Sequence, residues 1–143
     1  MQPLLTINDL SVEFRSEGQI TKALTGISFQ LQPNEILALV GESGSGKSVT
    51  SLSILRLLST TANYLSGQII FHEPQKAPIE ILRESPAGIK QIRGNKIAMI
   101  FQEPMTSLNP VLTCGEQVME ALLTHKKLDR RQAKKKVIEW FEK

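Results

Sequence analysis

Near the start of the chain apolar and polar side chains almost alternate, with Leu5, Ile7, Leu10, Val12 and Phe14 as the apolar members. A period close to two marks a strand with one face covered, so the first strand is expected here. A second is expected after Gly18, where Ile27, Phe29 and Leu31 alternate with Ser28 and Gln30 before Pro33 and Asn34 turn the chain. Residues 36–40 break the rhythm: Ile36, Leu37, Ala38, Leu39 and Val40 are all apolar. An unbroken run of this kind predicts a strand buried on both faces. A second such run, Ile97, Ala98, Met99, Ile100 and Phe101, predicts another.

Between the two runs, a helix over about 47–58 would put Leu52, Leu55 and Leu58 on one side. Residues 69–71 read as a strand, 74–88 as a loop with three prolines, and 89–93 as a short helix. Two further helices have start signals. Thr113 with Glu116 three residues on makes a capping box, and Asp129 with Gln132 a variant of it. Ala133, Val137, Trp140 and Phe141 give the second of these an apolar stripe. No stop signal follows that stripe, and the helix reads as cut at Lys143.

Length and composition narrow the classes. A chain of 143 residues suits one domain with a real core. No apolar run approaches the roughly 20 residues that span a bilayer. The first residues carry neither a basic region nor a long apolar stretch, which argues against a signal peptide. A single cysteine, Cys114, excludes an internal disulfide and a cysteine-rich metal site, and fits a reducing cytoplasm. The net charge of +3 is unevenly spread. Residues 1–125 hold 9 basic and 11 acidic side chains, and residues 126–143 hold 8 and 3. The basic character belongs to the tail, where a solvated helix face explains it, so it gives no case for nucleic-acid binding.

The candidate chemistry lies just after the first apolar run. Gly41, Glu42, Ser43, Gly44, Ser45, Gly46, Lys47 and Ser48 match the P-loop pattern in full. The glycines let main-chain N–H groups close in on phosphates. Those groups, from about Gly44 to Ser48, would open a helix whose dipole also favours an anion. Lys47 supplies a mobile positive charge for the β- and γ-phosphates, and the Ser48 hydroxyl a hard oxygen for Mg²⁺. The reading requires a buried strand before the loop and a helix after it. A GTPase would want an aspartate after Asn95 and Lys96 that is not there, and a small-molecule kinase would leave residues 99–110 unexplained.

With the loop extended through Val49 and Thr50, it resembles that of ABC importer ATPases for dipeptides and oligopeptides. The run Ala98, Met99, Ile100, Phe101, Gln102, Glu103, Pro104, Met105, Thr106, Ser107, Leu108, Asn109, Pro110 is similar to the same subfamily's Q-loop segment. Residues 93–96 and 64–67 resemble importers whose ATPase subunit carries two fused ATPase domains. The resemblance implies an α/β P-loop NTPase fold, an ABC-type ATPase core with an antiparallel β subdomain, truncated within the helical subdomain. Residues 1–35 would begin the antiparallel part, 36–103 run from P-loop to Q-loop, and 104–143 begin the helical subdomain. ATP and Mg²⁺ are the implied cofactors. Gly41, Ser43, Gly44, Ser45, Gly46, Lys47, Ser48 and Val49 would bind nucleotide. Gln102 would reach Mg²⁺ and the attacking water. Phe14 falls where the family stacks an aromatic on adenine, with a packed strand residue as the other reading. Residues 103–110 would meet the permease, and a second ATPase domain would close on the first. A periplasmic solute-binding protein would take part indirectly, with this subunit peripheral on the cytoplasmic side of the bacterial inner membrane.

Two of the loop's neighbours depart from the family pattern: Val49 stands where a hydroxyl residue is common, and Asn34 where glycine is usual. Several family motifs are missing. No run of four apolar residues leads into Asp-Glu, the pair that would hold Mg²⁺ through water and act as general base. Nor is there a Leu-Ser-Gly-Gly-Gln signature; Leu65, Ser66, Gly67 and Gln68 lack its second glycine and lead into a strand. His72 and His125, neither placed as the family's switch histidine, read as surface residues. The chain by itself is therefore expected to bind ATP weakly or not at all and to hydrolyse none. The alternative is a non-catalytic remnant with at most weak nucleotide or permease binding.

Overall fold

A computed structural model describes residues 2–101 and 108–142. Contacts divide the chain into two compact units, residues 1–89 and 90–143.

The first unit is built on a four-stranded antiparallel sheet. Its strands are β1 (Leu5–Ser16), β2 (Gln19–Leu31), β3 (Ala62–Phe71) and the two-residue β4 (Ile79–Glu80), in the order β2-β1-β3-β4. Strand β1 therefore has a neighbour on each side, pairing Leu5 with Leu31 of β2 and with Phe71 of β3. Its apolar residues Leu5, Ile7, Leu10 and Val12 are buried together with Leu24, Ile69, Phe71 and Ile81. The lapse in alternation between Ile7 and Leu10 has a structural cause. Both pairings of β1 shift register there, and Asp9 takes a positive φ of 47°. Such a bulge adds a residue and turns Leu10 back to the core.

Strand β2 begins eight residues before the expected Ile27. Glu17 and Gly18 both have positive φ and make a two-residue link from Ser16 to Gln19, as a tight hairpin with right-handed twist requires. Strand β3 likewise extends well beyond 69–71. It includes Leu65, Ser66, Gly67 and Gln68, so this near-signature lies within the strand it was expected to lead into. Gly67 lies against the bulge: a Cβ there would come within 2.6 Å of the carbonyl oxygens of Asn8 and Asp9.

Helix α1 (Lys47–Ile54) is shorter than the expected 47–58. Leu55 caps it, and Arg56 turns away with φ 51°. The Arg56 guanidinium donates to the carbonyls of Ile81 and Glu84, tying the helix end to a 3₁₀ turn, Ile81–Arg83. The expected loop at 74–88 thus contains β4 and this turn. Helix α2 (Pro86–Ile92) starts at a proline, a residue suited to the first helical position, and so begins before Ile89.

The two apolar runs are the principal correction. Residues 36–40 form no strand, and Ile36 and Val40 are 97% and 92% exposed. Residues 97–101 form none either: Ile97 makes one isolated parallel bridge to Arg93, and Ile100 is 94% exposed. A strand buried on both faces needs strands beside it and helices above and below. Among the described residues every named strand pair is antiparallel, and neither run has such neighbours.

In the second unit α3 (Cys114–His125) and α4 (Arg130–Phe141) pack through Met119, Leu122, Ala133 and Val137, with Val118 beside them. Both start signals operate as expected. Thr113 Oγ1 accepts from Glu116 N at 3.2 Å, and Thr113 N donates to Glu116 Oε2 at 3.2 Å. Asp129 Oδ1 accepts from Gln132 N at 2.8 Å, and Asp129 N donates to Gln132 Oε1 at 3.1 Å. The expected stripe is only half buried, since Ala133 and Val137 face the core while Trp140 and Phe141 stay exposed. Both histidines are half-buried, each keeping part of its surface open; His72 pairs with Gln2 at 2.8 Å. Cys114 is exposed and free.

Candidate phosphate-binding site

Loop 41–48 opens α1, as the P-loop pattern requires of its C-terminal side. Gly46 is the N-cap, with φ 89°, and Gly44 has φ 81°. No side chain caps the helix. The first-turn N–H groups of a helix have no acceptor within it, so here they stay open to an external anion. A Cβ at Gly44 would meet nothing within 4 Å, which leaves free space over that part of the loop. Gly46 is crowded on its other side: a Cβ there would come 2.5 Å from Leu24 Cδ2 and 2.9 Å from the Ala23 carbonyl. Close approach to β2 therefore fixes where the helix begins.

Lys47 bends over the loop. Its ammonium donates to the carbonyls of Gly41 and Glu42, each at 2.7 Å, and to Ser45 Oγ at 3.2 Å. These contacts hold the loop together and keep the charge beside the open amides. Ser48 is exposed, so its hydroxyl is accessible to a cation, and Ser43 and Ser45 are exposed as well. Val49 is half-buried, with its N–H in the first turn. The expected buried strand behind the loop is not formed. Only the helical half of the required setting is present.

Phe14 sits on β1, half-buried and in register with Thr21 of β2 and Ala62 of β3. Two residues earlier Val12 pairs with Leu24, the residue that abuts Gly46, so Phe14 shares a sheet with the loop's anchor. Gln102 lies outside the described residues, as do 103–107 of the expected permease-facing segment.

Three hydroxyls in α1 escaped the sequence reading. Thr50 Oγ1 donates to the Gly46 carbonyl at 3.0 Å, Ser51 Oγ to that of Lys47 at 3.2 Å, and Ser53 Oγ to that of Val49 at 2.7 Å. Thr50 and Ser53 are buried. Their one legible signal was the density of Ser and Thr just after the lysine.

In the second unit a groove of about 500 Å³ runs between α3 and α4, floored by Met119 and Val137 and edged by Arg130 and Lys134. Nearby, the Glu116 carboxyl is held below the usual carboxylate range. The Thr113 hydroxyl is the main cause, helped by the Thr113 N–H, with Arg130 adding a smaller attraction.

A family model described as ABC transporter matches residues 24–143. A probable peptide ABC transporter ATP-binding protein, y4tR of Sinorhizobium fredii, is 46% identical over 137 residues, 95% of this chain and 39% of that protein. The uncharacterized ABC transporter ATP-binding protein YejF of Escherichia coli is 49% identical over 138 residues, 96% and 25% of the two chains. The glutathione import ATP-binding protein GsiA of Salmonella choleraesuis is 44% identical over 131 residues, covering 91% and 21%. Among solved structures, the ADP- and Pi-bound, post-hydrolysis dimer of the ATP-binding cassette MJ0796 superposes with a TM-score of 0.74 at 21% identity. The match covers 96% of this chain and 56% of that one.

This is the fold of an ATP-binding cassette, with a P-loop at the head of α1. The chain belongs to the ABC transporter family. It spans between 21% and 42% of the length of the curated relatives it matches.

Proposed function

We propose that this chain is the P-loop portion of an ATP-binding subunit that couples ATP binding and hydrolysis to the import of peptides. The open first turn of α1, capped by Gly46 alone with Lys47 held over the loop, carries the reading. It suits a triphosphate in charge, in donor supply and in the free space at Gly44. Peptide as the cargo class rests on the names of relatives such as y4tR, with glutathione import by GsiA a related case.

In this reading the amides of residues 44–49 fix the phosphates, that of Ser45 after leaving the Glu42 carbonyl it meets at 3.2 Å, and Lys47 leaves the Gly41 and Glu42 carbonyls to meet the β- and γ-oxygens. Gly41, Ser43 and Ser45 shape the loop around them. Mg²⁺, when bound, would screen the phosphate charge; Ser48 and Gln102 are the residues to hold it. Gln102 would also orient the water, and Phe14 would stack on adenine. Residues 103–110 would dock on permease subunits at the cytoplasmic face of the inner membrane, opposite a periplasmic solute-binding protein. A second ATPase domain would complete the pair. The layout into an antiparallel start (1–35), a P-loop to Q-loop core (36–103) and a helical start (104–143) belongs to the same proposal.

For the chain by itself we propose weak ATP binding without hydrolysis. The exposure of Ile36 and Val40 behind the loop supports this, as does the missing Asp-Glu motif. A fluorescent ATP analogue should be displaced by ATP in preference to GTP, with no phosphate release. Turnover above background that disappears in Lys47→Ala would overturn the inactive state, and indifference of binding to Lys47→Ala would overturn the site.

A further inference from the structure

Peptide groups transmit polarisation: a hydrogen bond received at a carbonyl strengthens the bond that the same peptide's N–H can donate. This bears on the hydroxyls of α1. The Gly46 carbonyl, which Thr50 Oγ1 reaches at 3.0 Å, shares its peptide with the Lys47 N–H. The Lys47 carbonyl, reached by Ser51 Oγ at 3.2 Å, shares its peptide with the Ser48 N–H. Both N–H groups belong to the open first turn. We infer that Thr50 and Ser51 are positioning residues for the phosphate site, acting through the Gly46–Lys47 and Lys47–Ser48 peptide groups to orient and strengthen two of its donors. The inference rests on the phosphate-binding reading above and adds two residues to it.

The alternative is that hydroxyls in a helix merely satisfy themselves on a carbonyl one turn back. Ser53 separates the two accounts. It makes the same kind of bond, to Val49 O at 2.7 Å, and is fully buried. The N–H of that peptide, however, belongs to Thr50 and is already spent on Gly46 O at 2.8 Å. Ser53 thus has the same helical role with no open donor to strengthen. Thr50 is the strongest case, because it is only 3% exposed and its N–H and Oγ1 both converge on Gly46 O, holding that peptide plane against the helix.

The test is calorimetric titration of the full chain with Mg-ATP, for wild type, Lys47→Ala, Thr50→Val, Thr50→Ser, Ser51→Ala and Ser53→Ala. Valine keeps the shape of threonine and removes only the donor. Thr50→Val and Ser51→Ala should each weaken binding by roughly 1.3- to 4.6-fold, as expected for losing 10–30% of a charge-assisted bond. Thr50→Ser should restore it, and Ser53→Ala should leave affinity unchanged. In ¹⁵N spectra without nucleotide, Thr50→Val should move the Lys47 amide, and Ser51→Ala the Ser48 amide, upfield. Should Thr50→Val prove unstable, the half-buried Ser51 carries the test through both readouts. Equal affinity in wild type, Thr50→Val and Ser51→Ala would overturn the inference and leave the site reading standing. Equal losses in Ser53→Ala and Thr50→Val would also overturn it, by assigning the effect to helix stability. Binding that ignores Lys47→Ala would remove the site reading, and the inference with it.

Discussion

Replacing Gly46 by alanine tests how the loop is seated on the sheet. Gly46 has φ 89°, in a region where an L-residue costs about 1–2 kcal/mol. Its new methyl would also lie 2.5 Å from Leu24 Cδ2 and 2.9 Å from the Ala23 carbonyl. Leu24 is a buried core residue paired with Val12, so it has little room to retreat, and such overpacking costs about 1–3 kcal/mol more. The sum is roughly 2–5 kcal/mol. Gly44→Ala supplies the control. It has a similar φ of 81° but open space around the new Cβ, so only the conformational part, about 1–2 kcal/mol, applies. Urea unfolding measured on both variants should separate their midpoints by on the order of 1 M, given a slope of about 1–3 kcal/mol per molar for small proteins. Coincident midpoints would refute the claim that contact with β2 fixes the start of α1.

Further outcomes concern other parts of the molecule. Ile36→Asp should change stability by no more than about 0.5 kcal/mol, as for an exposed position, whereas Ile7→Ala should cost about 2–5 kcal/mol; a collapse of Ile36→Asp in urea unfolding would restore the buried strand expected from the sequence. Ala133→Leu should destabilise the α3–α4 pair by about 1–3 kcal/mol, read from the loss of far-ultraviolet helix signal in urea, because Ala133 is fully buried between the helices. Glu116 has a folded pKa below its ordinary value of 4.5, through the bonds from Thr113. The stability it adds is therefore complete above that value and is lost as pH falls through the lowered folded one. Glu116→Gln, which keeps a capping residue but does not titrate, should remove this acid-side loss from a series of unfolding curves at falling pH.

Much of the antiparallel sheet was legible because its residues carry their own pattern. Ile27, Phe29 and Leu31 alternate, and so do the apolar residues of β1 apart from the bulge at Asp9. The extra length of β2 and β3 was hidden because hairpin geometry at Glu17 and Gly18, and pairing with β1, extend strands through residues of weak pattern. Capping signals at Thr113 and Asp129 were readable because both partners lie within four residues of each other. The runs at 36–40 and 97–101 misled because two-sided burial depends on distant neighbours, which periodicity cannot supply. In the loop, residue types announced phosphate chemistry directly. The fold-back of Lys47 onto Gly41 and Glu42 and the hydroxyl bonds of Thr50 and Ser51 depend on atomic placement, which the motif does not encode.

The proposed function depends most on the amides at the head of α1 gripping a triphosphate. The direct measurement is a residue-resolved ¹H–¹⁵N titration of the chain with Mg-ATP. Shifts should concentrate at residues 44–49, saturate weakly, and vanish in Lys47→Ala. Shifts centred elsewhere, or unchanged by that substitution, would contradict it.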